Sequence, residues 1–514
     1  MPHAISPIGA AVRATVPPLG PTFDFSNDQC IRRGARHRVA VDRCARRLGH
    51  LIIPAAVLVA GLAAARSSAA QVAPGAAPPD TLTLSLAEVQ RLAVRQNLSF
   101  LAARQETAIA GGELRQARVY RFNPDLALQA TGATLGASGS PYELTLTQEI
   151  EWAGQRGLRI GAARTGVARA SSVVRNAGRL TLADASAGFY RALAAERRLT
   201  VTRDALALTE RLLQAVRTQA REGEISTLEA NLAEIEFGRA RGRVLAAQRA
   251  ATSAVLELRQ LVGLTPDRPI RLTDGGAGAP VPALAPRAAP TPATVASIEA
   301  VAANEDSLVA LALARRPDLA ASAAAVRELE ALTSLARREA LPNLRLGAAI
   351  ERAEGDGSPR LGPAIGVGLP LFNRNQGLVD QRQALAVQAR LQRRATELRV
   401  RTDVTSAVRA YRAATEEAAV FEGSVLRPAR ENTELLEIAF RAGKIALPTL
   451  LLLRNQLLDA ELGYWDAWLA QREALVQLEA ATGALTPPAT SLQPLDAGAV
   501  DGPAPADSSS RTSR

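Results

Sequence analysis

The side chains best suited to catalysis or to soft-metal binding are confined to one end of the chain. All three histidines (His3, His37, His50), both cysteines (Cys30, Cys44) and the one methionine, Met1, lie within the first 50 of 514 residues. If that segment is removed, no nucleophilic triad built on His or Cys, no Cys/His zinc site and no thioether copper site can form within one chain. Carboxylates are plentiful, but they form no isolated pair in an apolar setting and read as solvated helix faces. The expectation is a protein that is not an enzyme and has no catalytic, cofactor-binding or metal-binding residues. The positions that matter should then be surfaces, and the elements that carry them come next.

Hydrophobic residues make up 47% of the chain but aromatics only 3%. Ala and Leu at this density favour long, closely packed helices over an ordinary enzyme core. The net charge is +11, of which residues 1–70 supply +6 through nine Arg and three Asp. The remainder is close to balanced, and Lys444 is the only lysine. The high isoelectric point is therefore poor support for a nucleic-acid partner.

Residues 1–70 read as an extension followed by an export signal. Arg43, Arg46 and Arg47 precede the apolar run Leu51–Ala65, and Ser68-Ala69-Ala70 supplies a small-residue cleavage site before Gln71. Fifteen residues containing Pro54 are short for a spanning helix, which needs about 20. No other apolar run reaches that length, so contact with a membrane has to come from strands or from an interfacial surface.

Beyond the leader the chain is duplicated. Gly157/Gly377, Gly223/Gly443 and Gly263/Gly483 all recur at an offset of 220 residues, as do Ser186-Ala187/Ser406-Ala407 and Leu258/Leu478. The halves run over 82–265 and 305–485. Between them, 266–304 holds seven prolines and Gly275-Gly276-Ala277-Gly278, a linker composition without a packed element. The tail 486–514 is rich in Pro, Ser and Asp and is expected to be disordered.

Each half opens with a helix of about 35 residues (Ser85 to Arg121; Asp306 to Ala340) that ends at Asn123-Pro124 or Leu341-Pro342. Two alternating segments follow in each, Asp125–Thr131 with Glu143–Ile150 and Asn343–Ala349 with Pro363–Pro370, which read as two hairpins. From Gly157 to Glu222 the sequence is free of proline, and Leu199, Leu206, Leu213 and Ala220 recur every seven residues with Val216 in the second seam position. That predicts a rod of roughly 100 Å. Gly377 to Ala442 repeats it, with Pro428 expected to kink it.

Each rod ends in a specific turn. Gly223 suits a left-handed C′ position and Ser226 with Glu229 forms a capping box that opens the returning helix. Arg441-Ala-Gly-Lys-Ile-Ala-Leu-Pro448 is the counterpart, with Pro448 in the first turn of the next helix. The rods should fold back as two antiparallel hairpins. Their tips, Gly223, Glu224, Ile225 and Ser226 on one and Gly443, Lys444 and Ile445 on the other, are either turns alone or turns that also dock a partner; spacing leaves both readings open.

Four short strands cannot close a barrel in lipid, where the smallest closed barrels have about eight, and an open sheet would leave edge amides unpaired. If the hairpins insert, several chains must share one barrel, and three chains supply enough strands for a pore. Tyr120, Phe122, Tyr142, Trp152 and Phe372 flank the strands, where membrane-interface aromatics sit. Capping a small soluble core is the other use for such rings.

The order helix, strand pair, long helix, glycine tip and returning helix, present twice, resembles the outer-membrane efflux (TolC-type) channel family. The likeness rests on Leu84-Ser-Leu-Ala-Glu-Val89, Leu92-Ala-Val-Arg-Gln-Asn-Leu98 and Gln148-Glu-Ile-Glu-Trp-Ala-Gly-Gln-Arg-Gly157. It rests also on Leu369-Pro-Leu-Phe-Asn-Arg-Asn-Gln-Gly377 and on Pro428 ahead of Gly443. The Trp152 and Phe372 stretches are most similar to the cation/heavy-metal branch. The resemblance implies a mainly α fold with a small β part: duplicated long helical hairpins in a coiled-coil-like α-barrel, plus four strands per chain in a shared trimeric twelve-stranded β-barrel. It further implies a homotrimer in outer-membrane lipid, with a large periplasmic part that meets a periplasmic adaptor (membrane fusion) protein and an inner-membrane pump.

Two departures stand out. Some members of the family carry aspartates just after the second tip glycine, whereas Thr449-Leu-Leu-Leu-Leu453 is uncharged. An acidic constriction would have to come from Glu222, Glu224 or Glu229 of the first tip. A chain without His, Cys or Met beyond the leader also has no soft ligands with which to select transition ions, so the tube should be a passive conduit. The competing reading is a periplasmic coiled-coil adaptor or a structural protein without a channel. An adaptor, though, would use one hairpin flanked by β-rich halves, and a structural rod would not need the alternating segments.

Overall fold

The computed structural model describes residues 81–130, 141–273, 305–353, 358–442 and 444–494, all within the unit Gly75–Arg514. Residues 1–80, where an export signal is expected, the segment 274–304 and the tail beyond 494 lie outside the described residues.

In chain order the first repeat contains β1 (Leu82–Leu84), α1 (Leu86–Gln96), α2 (Leu98–Arg118), β2 (Asp125–Ala130), β3 (Tyr142–Ile150), α3 (Gln155–Glu222) and α4 (Thr227–Val262), followed by β4 (Ile270–Leu272). The second contains α5 (Glu305–Arg315), α6 (Pro317–Arg338), β5 (Leu344–Arg352), β6 (Arg360–Val367), α7 (Gln376–Val420), a π-helical turn (Phe421–Leu426), α8 (Arg427–Arg441) and α9 (Leu447–Thr482). The fold is mainly α with a small β part, as expected.

Three expectations need correction. The opening helix of each half is two helices. Asn97 leaves the helical region at φ −63°, ψ 113°, and its side chain accepts from the Phe100 amide to cap α2. In the second half Arg316 is extended because Pro317 follows it. The linker is not wholly without packed structure, since Ile270–Leu272 pairs in parallel with Leu82–Leu84 and buries Leu84 and Leu272. The kink expected at Pro428 is a π-helical turn just before it. Proline lacks an N–H and its ring collides with the carbonyl four residues back, and wider i→i+5 turns make room for both. The Phe421 ring then fills the space against the bare Cα of Gly463 on α9.

The long rod α3 has 68 residues, which at 1.5 Å each is about 100 Å. No helix of the described residues is long and apolar enough to cross a membrane. Leu258 and Leu478, 220 residues apart, are both fully buried, in two separate core clusters. Val89, Ala93, Phe189 and Val262 surround the first, and Leu308, Val400, Val404 and Val408 the second. Small residues such as Ala185, Ala192 and Ala312, fully buried, let the helices approach closely. Arg191 ties α3 to both returning helices through Glu257 (3.2 Å) and Glu473 (2.6 Å). Within the second repeat, Arg316 ties the start of α6 to α7: its buried guanidinium holds Asp318 (2.7 Å) and Asp403 (2.8 Å). Burial alone would push the Asp318 carboxyl up, but Arg316 holds it below the usual carboxylate range.

Candidate functional site

The two hairpins form one four-stranded antiparallel sheet in the order β2-β3-β5-β6, joined through β3 and β5. Its register sorts the side chains. Direct partners share a face, and alternate residues along each strand share it too. Leu126, Leu128, Tyr142, Leu144, Leu146 and Ile150 lie on one face with Leu344, Leu346, Ile350, Leu361, Ile365 and Val367. The other face carries Glu143, Thr145, Thr147, Glu149, Arg345 and Glu351 among Gly347, Gly362 and Gly366. Apolar side chains are therefore held in the open on one side: Leu361 is 75% exposed and Ile365 74%. A soluble sheet would bury that face.

β2 and β6 are the edges, each with one side unpaired in the monomer. β3 and β5 have nine residues each, about 30 Å, the length of a strand that crosses a bilayer. All four helix–strand joints sit at the same end of the sheet, because Asp125 lies beside Thr147, Ile150 opposite Leu344, and Leu344 opposite Val367. Four of the five aromatics that flank the strands are at this end. The Tyr120 hydroxyl donates to the Glu149 carbonyl (3.0 Å), and Trp152 Nε1 donates to the Pro342 carbonyl (2.8 Å). Phe122 lies under the Arg121 guanidinium, and Phe372 is 91% exposed. Tyr142 stands apart from them, opposite Arg352 at the far end of β3. Rings thus mark both ends of the strand.

The tips lie at the other extreme. Gly223 is left-handed (φ 79°, ψ 8°), its amide donates to the Ala220 carbonyl, and the Glu224 amide donates to the Gln219 carbonyl. The capping box is complete: the Glu229 amide donates to Ser226 Oγ (3.3 Å) and the Ser226 amide to Glu229 Oε2 (3.1 Å). Of the three acidic candidates, Glu222 and Glu224 are exposed and unengaged in the box, whereas the Glu229 carboxylate is occupied by it. On the second tip the Lys444 amide donates to the Ala439 carbonyl (2.8 Å), Ile445 is half-buried and Pro448 stands in the first turn of α9; Gly443 lies outside the described residues. The two tips are brought together by a cluster of Leu213, Val216, Ala233, Leu447 and Leu451, against which Ile225 and Phe440 pack. Leu213 and Val216 of the predicted heptad seam are fully buried in it.

Just above, a polar group bridges the hairpins: buried Glu236 accepts from Arg239 (2.6 Å) and from the Asn455 amide (3.3 Å), and Arg243 donates to Asn455 Oδ1 (3.0 Å). The sequence reading missed this group, and its residues carry no local signal. No cluster of His, Cys, Asp or Glu able to hold a metal ion occurs among the described residues.

Residues 308–484 match the family model described as outer membrane efflux protein. No curated protein sequence matches the chain. Among solved structures, the chain is similar to a membrane protein from Pseudomonas aeruginosa (20% identity, TM-score 0.62, 77% of this chain and 90% of that one). It is similar also to the CmeC outer membrane channel of Campylobacter jejuni (13%, TM-score 0.63, 80% and 90%). The open state of the MtrE outer membrane channel of Neisseria gonorrhoeae is a third (19%, TM-score 0.59, 77% and 88%). Residues 308–484 are thus similar to the outer membrane efflux protein family, and the described chain shares its fold with outer-membrane channels of known structure.

Proposed function

We propose that the chain is the channel subunit of a tripartite efflux system. Three copies share one twelve-stranded barrel in outer-membrane lipid, above a helical tunnel. The tunnel tips meet a periplasmic adaptor protein and, through it, an inner-membrane pump. The two-faced sheet with its two open edges carries this reading. Its apolar face suits lipid and its face of Glu, Thr, Arg and Gly suits a water-filled lumen. A sheet with free edges is stable in lipid only if β2 of one copy pairs with β6 of the next. The first 70 residues serve export in this reading.

The tube is passive. Metal cations fit the resemblance to the cation branch, but without His, Cys or Met beyond the leader the tunnel offers no soft ligands, and discrimination falls to the pump. The tip residues Gly223, Glu224, Ile225, Ser226, Gly443, Lys444 and Ile445 form the adaptor contact, with Glu222 and Glu224 a ring of acidic charge where three copies converge. The test is the state of the purified protein. It should fractionate with the outer membrane, require detergent and sediment at trimer mass. A protein that is monomeric and stable in plain buffer overturns the proposal.

A further inference from the structure

Arginines gather where helices meet the sheet. Arg115 and Arg118 end α2, Arg337 and Arg338 end α6, Arg156 opens α3, and Arg374 lies just before α7. All six are exposed, and none forms an ion pair with a carboxylate among the described residues. Two further arginines at this level are ion-paired, Arg121 with Glu339 (3.2 Å) and Arg159 with Glu151 (2.7 Å), whereas the six above are not.

The helix dipole accounts for only part of this. A cation is favoured at a helix C-terminus, which explains the pairs ending α2 and α6. The same dipole disfavours Arg156 in the first turn of α3 and Arg374 beside the start of α7. Arg156 instead donates through Nη2 to the Arg118 backbone carbonyl (2.8 Å), which holds it beside the end of α2. Exposed side chains of one sign at one level of the fold, none paired with a carboxylate, point to an anion outside the chain.

The neighbouring surface says which kind. At the same level the exposed apolar residues Val119, Trp152, Leu369, Leu371 and Phe372 run directly into the apolar face of the sheet. A free phosphate ion or an acidic peptide would not need that continuity; a molecule with an anionic head and an apolar tail does. Guanidiniums beside ring side chains at the margin of an apolar band are placed to bind headgroup phosphates while their stems lie along the chains.

We propose that this arginine belt binds the headgroups of anionic phospholipids in the periplasmic leaflet of the outer membrane and fixes the depth and tilt of the barrel there. The proposal rests on the channel reading given above. At the opposite end of the sheet 131–141 contains no arginine, and Arg352 and Arg360 both engage other groups of the chain.

The test uses detergent-solubilised full-length protein and the variant Arg115→Gln/Arg118→Gln/Arg337→Gln/Arg338→Gln. Thermal unfolding is followed during titration with phosphatidylglycerol, phosphatidylcholine or inorganic phosphate. Phosphatidylglycerol should raise the midpoint of the wild type by several degrees, and half-saturation should need about tenfold more lipid in the variant. The corresponding four-Lys variant should retain most of the effect, and phosphatidylcholine should act weakly and equally on all three. Equal phosphatidylglycerol responses in wild type and Gln variant overturn the proposal, as does a full response to inorganic phosphate. If the fourfold variant does not fold, Arg156→Gln/Arg374→Gln answers the same question. Incorporation of the wild type into vesicles, measured by flotation, separates the two levels. Failure to incorporate removes the channel reading, whereas incorporation without lipid preference removes the belt alone.

Discussion

The two repeats are copies of one plan that have diverged in how their rods are built. In the first, α3 runs unbroken for 68 residues and its tip is closed by Gly223 and a capping box. In the second, the rod is interrupted by six residues of π-helix before Pro428, and α9 starts with Pro448 and no side-chain cap. The stiff hairpin has two backbone devices holding its end, and the interrupted one leans on Phe421 against Gly463 and on Leu447 and Leu451 in the shared tip cluster. A duplicated fold can thus keep one half as a strut and let the other bend.

The largest effect expected from this asymmetry comes from moving the break. Leu208 of α3 is the position equivalent to Pro428. Leu208→Pro should lower stability by about 3 kcal/mol or more, because it removes an amide donor in a rod with no π-turn to receive the ring. Pro428→Ala should cost less than about 1 kcal/mol, since the wider turns need no proline to persist. Chemical denaturation of both variants checks the difference. Equal losses would mean that the two rods are equally compliant.

The glycines that end the returning helices give the next contrast. Gly263 and Gly483 are both left-handed, at φ 77° and 75°. A methyl group at Gly483 would meet Arg315 Cβ at 3.4 Å, an ordinary contact, so Gly483→Ala should cost only the strain of the conformation, roughly 1–3 kcal/mol. At Gly263 it would overlap the carbonyl of Gln96, backbone that is held by the α1–α2 break. Gly263→Ala should therefore lower the unfolding midpoint by about twice as much as Gly483→Ala.

Much of this architecture was legible in the sequence, and the exceptions have physical causes. The rods, the hairpin strands and the capping box follow from long-range periodicity or from residues with one local meaning, such as Gly223 or Ser226 with Glu229. The break at Asn97 was missed because one residue of non-helical geometry does not disturb the hydrophobic period on either side of it. β1 and β4 have three residues each, too few to show alternation, and β4 sits among prolines. The two-faced sheet was only half visible. Gln148 and Pro363 interrupt the alternation along single strands, and only the pairing of Leu346 with Gln148 and of Ala348 with Pro363 shows them to be minor breaks in one apolar face. The charge that mattered was hidden in the same way: the arginines of the belt come from four separate helix ends, and no window of sequence gathers them.

A third contrast is electrostatic. Arg259 and Glu479 occupy equivalent positions in the last turns of α4 and α9, and the carbonyl of each accepts the amide two residues past the helix end, from Leu264 and Ala484. A cation suits a helix C-terminus and a carboxylate does not. Burial pushes the Glu479 carboxyl up to about 7. The folded state thus holds a proton that the unfolded chain gives up near its ordinary value, so stability is fully present below that value and is lost as pH rises through about 7. Glu479→Gln should be neutral at pH 4 and stabilising at pH 8. A variant no more stable than wild type at pH 8 would show that the carboxylate is solvated in the protein.

The smallest effect on stability, and the most direct on transport, belongs to the tips. The first carries exposed Glu222 and Glu224, the second exposed Lys444. If three copies converge there, the acidic tip repels itself and attracts cations, while the lysine opposes both effects. Glu229 takes no full part, because its carboxylate accepts from Ser226, and Glu229→Gln preserves that box while removing a charge. In planar bilayers, Glu222→Gln/Glu224→Gln should reduce the preference for potassium over chloride, Lys444→Gln should increase it, and Glu229→Gln should change it least. Thermal stability should stay within about 0.5 kcal/mol in all three, since these are surface substitutions. If the permeability ratio does not move in the first variant, the narrow part of the conduit lies elsewhere. The Glu236, Arg239, Arg243 and Asn455 group that bridges the hairpins would then be the next place to change.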